Sequence, residues 1–179
     1  MSGEQDSGPV PGPGPVAGSV SGPATGPGPV TGQCHCGGVR FTAQLAGPLS
    51  DAIRCTCSAC RMRGAVILFA DTAGLTITAG DDLLTEYRFN TGTARHYFCS
   101  RCGVYTHHQR RFDPSQYAIN AACIDGLSPF DFAEVPVVDG QRHPLDHGGG
   151  DLRVIGTLRY VPTDEGLGLR QHRDRRAGD

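Results

Sequence analysis

The chain contains neither lysine nor tryptophan, and aromatic residues make up only 7% of its 179 residues. Without lysine there is no amine side chain to act as a Schiff-base nucleophile. Without tryptophan the core has to be assembled from Val, Ile, Leu, Phe and Ala. Long apolar runs are missing as well. A bilayer-spanning helix needs about 20 apolar residues, and the longest candidate here, residues 65–70, is far shorter. The N-terminus lacks the basic start and apolar segment of a signal peptide. A cytoplasmic protein with no membrane partner is therefore expected, and in that compartment clustered cysteines read as metal or catalytic sites rather than disulfides. An excess of one charge is missing too. Sixteen basic residues face 18 acidic ones, for a net charge of −2, so no nucleic-acid partner is expected. The sequence carries no phosphate loop, no dinucleotide fingerprint and no spaced carboxylate pair of the glycosidase kind.

Glycine and proline, by contrast, are plentiful, and they divide the chain. Residues 1–32 are almost wholly Gly, Pro, Val, Ser, Ala and Thr, and GPGPV occurs at 12–16 and again at 26–30. Glycine does not recur at every third position, so this is not collagen. The segment offers too little apolar surface to offset its ordering entropy and is expected to be a disordered tail. The folded domain is expected over residues 33–162, followed by a flexible polar tail over 163–179. Within the domain, Val39, Phe41 and Ala43 alternate with Arg40, Thr42 and Gln44, the period of a half-buried strand. Further short strands are expected at 65–70, 75–78, 84–89, 95–99, 104–106, 117–124 and 154–160, separated by Gly-rich or Asp-rich turns. No long stretch has a 3.6-residue period. The expectation is one mostly-β domain.

Seven of the eight cysteines form three tight groups. Cys34 and Cys36 make a C-x-C, Cys55, Cys57 and Cys60 a C-x-C-x-x-C, and Cys99 and Cys102 a C-x-x-C. Zinc takes four ligands in a tetrahedron at about 2.3 Å from each sulfur. A C-x-x-C turn points two thiolates at one centre, and Gly103 after it eases the turn; Gly37 and Gly38 do the same for the C-x-C. Two such pairs complete a closed structural site. Three thiolates from one loop instead leave a coordination position open, the arrangement of a reactive zinc. The most economical grouping joins Cys34, Cys36, Cys99 and Cys102, with Cys55, Cys57 and Cys60 as the open site. The alternative is a closed Cys₃His second site completed by His96, His107 or His108. Either way the count is two zinc ions per chain. Cys123, in an apolar stretch, reads as a core residue.

The motifs Gln33-Cys34-His35-Cys36-Gly37-Gly38-Val39, Cys55-Thr56-Cys57-Ser58-Ala59-Cys60-Arg61 and Phe98-Cys99-Ser100-Arg101-Cys102-Gly103 resemble those of the glutathione-dependent formaldehyde-activating enzyme family, which includes centromere protein V-like proteins. Ala122-Cys123-Ile124-Asp125-Gly126, Arg142-His143-Pro144 and Gly156-Thr157-Leu158-Arg159-Tyr160 are also similar, so the resemblance covers about residues 33–162. It implies a β-tent fold of small antiparallel sheets pinned by zinc. It also implies a structural zinc on Cys34, Cys36, Cys99 and Cys102 and a catalytic zinc on Cys55, Cys57 and Cys60. The implied activity is that of a carbon–sulfur lyase of the S-(hydroxymethyl)glutathione synthase type, joining a small thiol such as glutathione to formaldehyde, and the reverse. Thr56 departs from the pattern, since members often carry histidine there. Arg54, Arg61, Arg63 and Arg101 flank the cysteine loops and are candidates for holding the carboxylates of an anionic thiol. The competing function is a non-catalytic zinc module that binds or carries a small thiol or a protein partner.

Overall fold

A computed structural model of the protein describes residues 28–162, and the expected tails over 1–27 and 163–179 lie outside the described residues. Ten strands make two sheets. The larger has seven strands, all antiparallel to their neighbours, in the order β1-β2-β4-β8-β7-β6-β5; the smaller has three, in the order β10-β9-β3. Strand β2 (Arg40–Leu45) shows why the alternating pattern forms a strand: Phe41, Ala43 and Leu45 are buried while Arg40, Thr42 and Gln44 face out. Strands β5 (Leu84–Tyr87), β6 (Arg95–Cys99) and β7 (Tyr105–Gln109) fall where the sequence places them. So does β10 (Val154–Arg159). The segment expected as one strand over 117–124 divides. Strand β8 (Gln116–Asn120) ends where the Asn120 side chain accepts from Ala122 N at 3.2 Å and starts a single 3₁₀ turn, Ala121–Cys123.

Two expectations need correction. The domain begins earlier than residue 33: β1 (Pro29–Gln33) lies inside the segment read as a disordered tail and pairs with β2 along its whole length. Proline is tolerated at the first residue of an edge strand, Val30 packs on the core, and Gly32 sits where any Cβ would collide with the Phe41 ring and the Cys123 carbonyl. A composition that looks like a linker thus carries a real edge strand. The two strands expected at 65–70 and 75–78 are one, β4 (Ile67–Ala79). Its first half pairs with β8 (Ile67↔Asn120 to Asp71↔Gln116) and its second half with β2 (Leu75↔Ala43 to Ala79↔Arg40). The register with β2 slips between Ala43 and Leu45, opposite Gly74, which packs closely on Gln44. Such a slip bends a strand and increases its twist.

Strand β4 lies between β2 and β8, with Ala70 paired to both, and the tip of the β1–β2 hairpin meets the tip of the β6–β7 hairpin. The main core fills the fold with Phe41, Leu45, Val66, Leu68, Ile119, Ile124 and Val135, and Cys123 is buried among them. A second, smaller core surrounds Cys34, Val39 and Cys99, with Leu83 and Leu84 against it. The small sheet contains two strands with little sequence signal. Strand β3 is only Arg54–Cys55, and β9 (Glu134–Val138) carries Pro136. These two run parallel, with Cys55 opposite Val138. The sole α-helix among the described residues, α1 (Ser58–Arg63), follows β3 and ends at Gly64, whose φ of 64° closes it in the left-handed conformation.

Candidate metal centres and active-site cavity

Two hairpin tips build the first cluster. In the β1–β2 loop Cys34 N donates to Val39 O at 3.0 Å, and in the β6–β7 loop Cys99 N donates to Val104 O at 3.0 Å. Each loop passes through a glycine with positive φ, Gly37 at 68° and Gly103 at 72°. The sulfurs of Cys34, Cys36, Cys99 and Cys102 all lie within 4.8 Å of one another. Cys34 Sγ to Cys36 Sγ is 3.5 Å, and Cys36 Sγ to Cys99 Sγ is 3.8 Å. A tetrahedron of zinc–sulfur bonds requires sulfurs about 3.8 Å apart, so this cluster fits that ion without rearrangement. Val39 N donates to Cys34 Sγ at 3.3 Å, a contact that favours thiolate. In the metal-free protein burial pushes the Cys34 thiol up to about 12.

The second cluster comes from one loop. Cys55 ends β3, Cys57 caps α1, and Cys60 lies in its first turn. Their sulfurs also lie within 4.8 Å of one another, and among the described residues no histidine nitrogen joins them. The closed Cys₃His arrangement is therefore not formed. Backbone amides support the sulfurs: Cys57 N donates to Cys55 Sγ and Cys60 N to Cys57 Sγ, both at 3.4 Å. In the metal-free state the hydrogen bonds from Cys55 and Cys60 hold the Cys57 thiol far down, at about 2. The Cys57 contact, with burial, pushes Cys55 up to about 11 against the Cys60 contact, and the contacts with Cys55 and Cys57 push Cys60 higher still. Thr56 turns away from the sulfurs, because its hydroxyl donates to Val138 O at 3.3 Å and accepts from Gly140 N at 3.1 Å. It clamps the cysteine loop to the end of β9. Gly140 lies against the sulfurs so closely that a Cβ there would collide with Cys55 Sγ and come within 2.7 Å of Cys57 N.

What separates the clusters is access. Cys55, Cys57 and Cys60 line a cavity of about 430 Å³, whereas none of the other four cysteines reaches it. Phe69, Phe89 and Phe112 supply much of its apolar wall, and Arg61, Arg110 and Arg111 its positive charge. The loop over residues 140–146 contributes Gln141, His143 and Asp146. Arg111 pairs with Asp146 through two contacts of 2.7 and 2.5 Å, tying that loop to the end of β7. Arg110 stacks over Phe69 at 4.1 Å and donates to Gln116, and burial lowers its pKa.

Of the four arginines singled out in the sequence, only Arg61 lines the cavity. Arg54 donates to Gly64 O at the end of α1, and Arg101 lies beside Gly38 at the other cluster. Arg63 turns inward, with Nη1 at 2.7 Å from His96 Nδ1 and its guanidinium 4.4 Å from the centre of the Tyr105 ring. Arg110, Arg111 and the three phenylalanines were missed, since they are scattered along the chain. The adjacent arginines after a strand were the only available hint. The histidines separate by position. His96 and His108 are buried in the cavity wall, His107 is buried away from it against Tyr97 and Tyr117, and His35 and His147 are exposed.

Two cysteine clusters able to hold a metal, one closed and one opening on a cavity, define a mostly-β metal-site protein in two sheets. The chain belongs to the glutathione-dependent formaldehyde-activating enzyme family, whose model matches residues 29–135. That match begins where β1 begins. The fold is also similar to the crystal structure of a Rhodobacter sphaeroides protein, with a TM-score of 0.59 and 47% identity, covering 60% of this chain and 98% of that one. Among the described residues no helix is long and apolar enough to cross a membrane.

Proposed function

We propose that the protein is a zinc-dependent carbon–sulfur lyase/synthase that makes and breaks the adduct of a small anionic thiol, glutathione or a relative, with formaldehyde or a similar aldehyde. The observation that carries this reading is the placement of three cysteine sulfurs from one loop in the wall of a cavity, while four others form a closed set elsewhere. In the proposed arrangement, Cys34, Cys36, Cys99 and Cys102 hold a structural ion and pin the corner of a tent-like pair of sheets. Cys55, Cys57 and Cys60 hold a second ion. Zinc there would offer an open position for a substrate atom and lower the pKa of the group it binds.

The chain's own residues supply the rest. Arg61 and Arg110 attract the carboxylates of the thiol, and Arg110 is available because its guanidinium hydrogen-bonds a neutral glutamine, with Asp113 near it but outside ion-pair distance. Phe69, Phe89 and Phe112 exclude water and confine a small aldehyde beside the sulfur. Thr56 and Gly140 hold the cysteine loop against β9, so a histidine at position 56 is not needed for the geometry. In the reaction a sulfur–carbon bond forms, the carbonyl π bond opens onto oxygen, and the proton lost from sulfur is replaced on oxygen from solvent. No group is oxidised or reduced.

The test is glutathione-dependent consumption of formaldehyde by the full chain, with zinc counted per chain. Cys57→Ser is expected to abolish turnover and remove one of two zinc equivalents while leaving the far-UV circular dichroism unchanged. Turnover that survives this substitution would overturn the reading. Thiol binding without turnover in the unsubstituted protein would favour a carrier instead.

A further inference from the structure

Among the described residues one buried side-chain atom has no hydrogen-bond partner, His96 Nε2. The residue is 2% exposed, and its ring forms part of the cavity wall beside the second cysteine cluster. Both ring faces are covered: Phe89 stacks at 5.3 Å between centroids and His108 at 4.7 Å. The Nδ1 edge is also occupied, by Arg63 Nη1 at 2.7 Å. A guanidinium can only donate. Nδ1 therefore accepts, and the imidazole proton belongs on Nε2. Burial first, and Arg63 second, hold the pKa near 4, so the ring stays neutral. The outcome is a buried N–H donor, on a residue that lines the cavity, with nothing to donate to, which costs free energy until a partner arrives.

The origin of this geometry lies in two neighbouring elements. Arg63 stands at the end of α1, the helix whose first turn carries Cys60, and its guanidinium rests on the Tyr105 ring. His96 lies on β6 directly opposite His108 on β7. One short helix thus sets both a sulfur of the cluster and the tautomer of the histidine.

We propose that His96 Nε2–H donates a hydrogen bond to the aldehyde-derived oxygen of the substrate, stabilising the charge that develops there as sulfur bonds to carbon. The inference rests on the cavity being the site of thiol–aldehyde chemistry. His96 keeps its proton throughout, because Arg63 occupies the nitrogen through which the ring would be reloaded. The oxygen is protonated by water, so the balance of the reaction is unchanged. Donors aimed at a developing oxyanion contribute about 10²- to 10³-fold in kcat. His96 is then a catalytic residue, and Arg63 a positioning residue that fixes its tautomer.

Two measurements on the zinc-loaded full chain test this. Imidazole ¹⁵N spectra should show His96 as the Nε2–H tautomer, and Arg63→Met should shift those signals toward a tautomer mixture. Equilibrium binding should then be compared for two probes: the glutathione–formaldehyde adduct, which carries the hydroxyl, and S-methylglutathione, which lacks it. The unsubstituted protein is expected to prefer the adduct about tenfold or more. His96→Phe, which keeps the ring stack and loses the donor, should lose that preference, bind S-methylglutathione unchanged, and fall about 10²- to 10³-fold in kcat with KM for the thiol unaltered. Equal binding of both probes by the unsubstituted protein, or a His96 proton on Nδ1, would overturn the role of His96 and leave the site reading intact. Failure of both probes to bind, with no turnover, would overturn both. If His96→Phe does not fold, the spectrum and the two-probe comparison on the unsubstituted protein decide alone.

Discussion

At Gly140 a single methyl group separates a working cysteine loop from a broken one. A Cβ there would overlap Cys55 Sγ, and neither the sulfur nor the Cys57 backbone beside it can give way without moving the cluster. Gly140→Ala is therefore expected to lower zinc occupancy from two toward one per chain while leaving the closed cluster filled, as elemental analysis would read. The buried histidines make a second prediction at this scale. Burial lowers His96 and His107 to about 4 and His108 to about 3, below the 6.5 of the free side chain. The unfolded chain therefore takes up protons first as pH falls. Stability from keeping these rings neutral is fully present above about pH 6.5 and is lost as pH drops toward 4. Thermal melts across that range should show the fall, and His107→Gln, the substitution farthest from the cavity, should make its slope shallower. The sequence marked all seven cysteines but could not mark Gly140. A ligand-bearing loop announces itself by spacing, whereas a close approach from another loop about 80 residues away does not.

Strands and loops divide into those that carried their own signal and those made by their neighbours. β2 was legible because its alternation is a property of six consecutive residues. β3, with two residues, exists because β9 offers it a parallel partner, and β9 is centred on a proline that the period-2 pattern does not favour. β1 was hidden by its Gly and Pro content and exists because β2 pairs with it along its whole length. The two hairpin tips behave as one unit. Cys34 and Cys99 are buried with Val39 in a small core that has few other apolar members, so an ion bound there would replace missing hydrophobic stabilisation. Structural zinc binding is worth on the order of 10 kcal/mol, comparable to the whole stability of a domain. Cys99→Ser should consequently lose both zinc ions and cooperative unfolding, in contrast to Cys57→Ser. Retention of a sharp thermal transition in Cys99→Ser would refute the structural assignment of that cluster.

For the whole molecule, the long central strand β4 joins the β1–β2 hairpin to the rest of the large sheet. It pairs with β2 on one side and β8 on the other, and hairpins far apart in strand order share four sulfurs. The edge strand β1 closes this arrangement: Thr31 donates to Asp125 at 2.6 Å, Asp125 N returns a bond to Thr31 O at 2.9 Å, and Gly32 bridges to Ile124. Compared with a chain starting at residue 28, one starting at residue 33 should melt several degrees lower, because an edge strand and its share of apolar burial are removed. The sequence by itself determined the seven candidate ligands, the mostly-β class and the resemblance to the family. Ligand spacing within a turn and alternation along a strand are constraints among a few adjacent residues, and they can be read without knowing the rest of the chain. Only the tertiary structure decided that three sulfurs open on a cavity while four are closed off, which arginines line that cavity, and what stands beside each nitrogen of His96. Each of these depends on groups brought together across the sheets, where position is set by the packing of the whole domain rather than by any local run of residues.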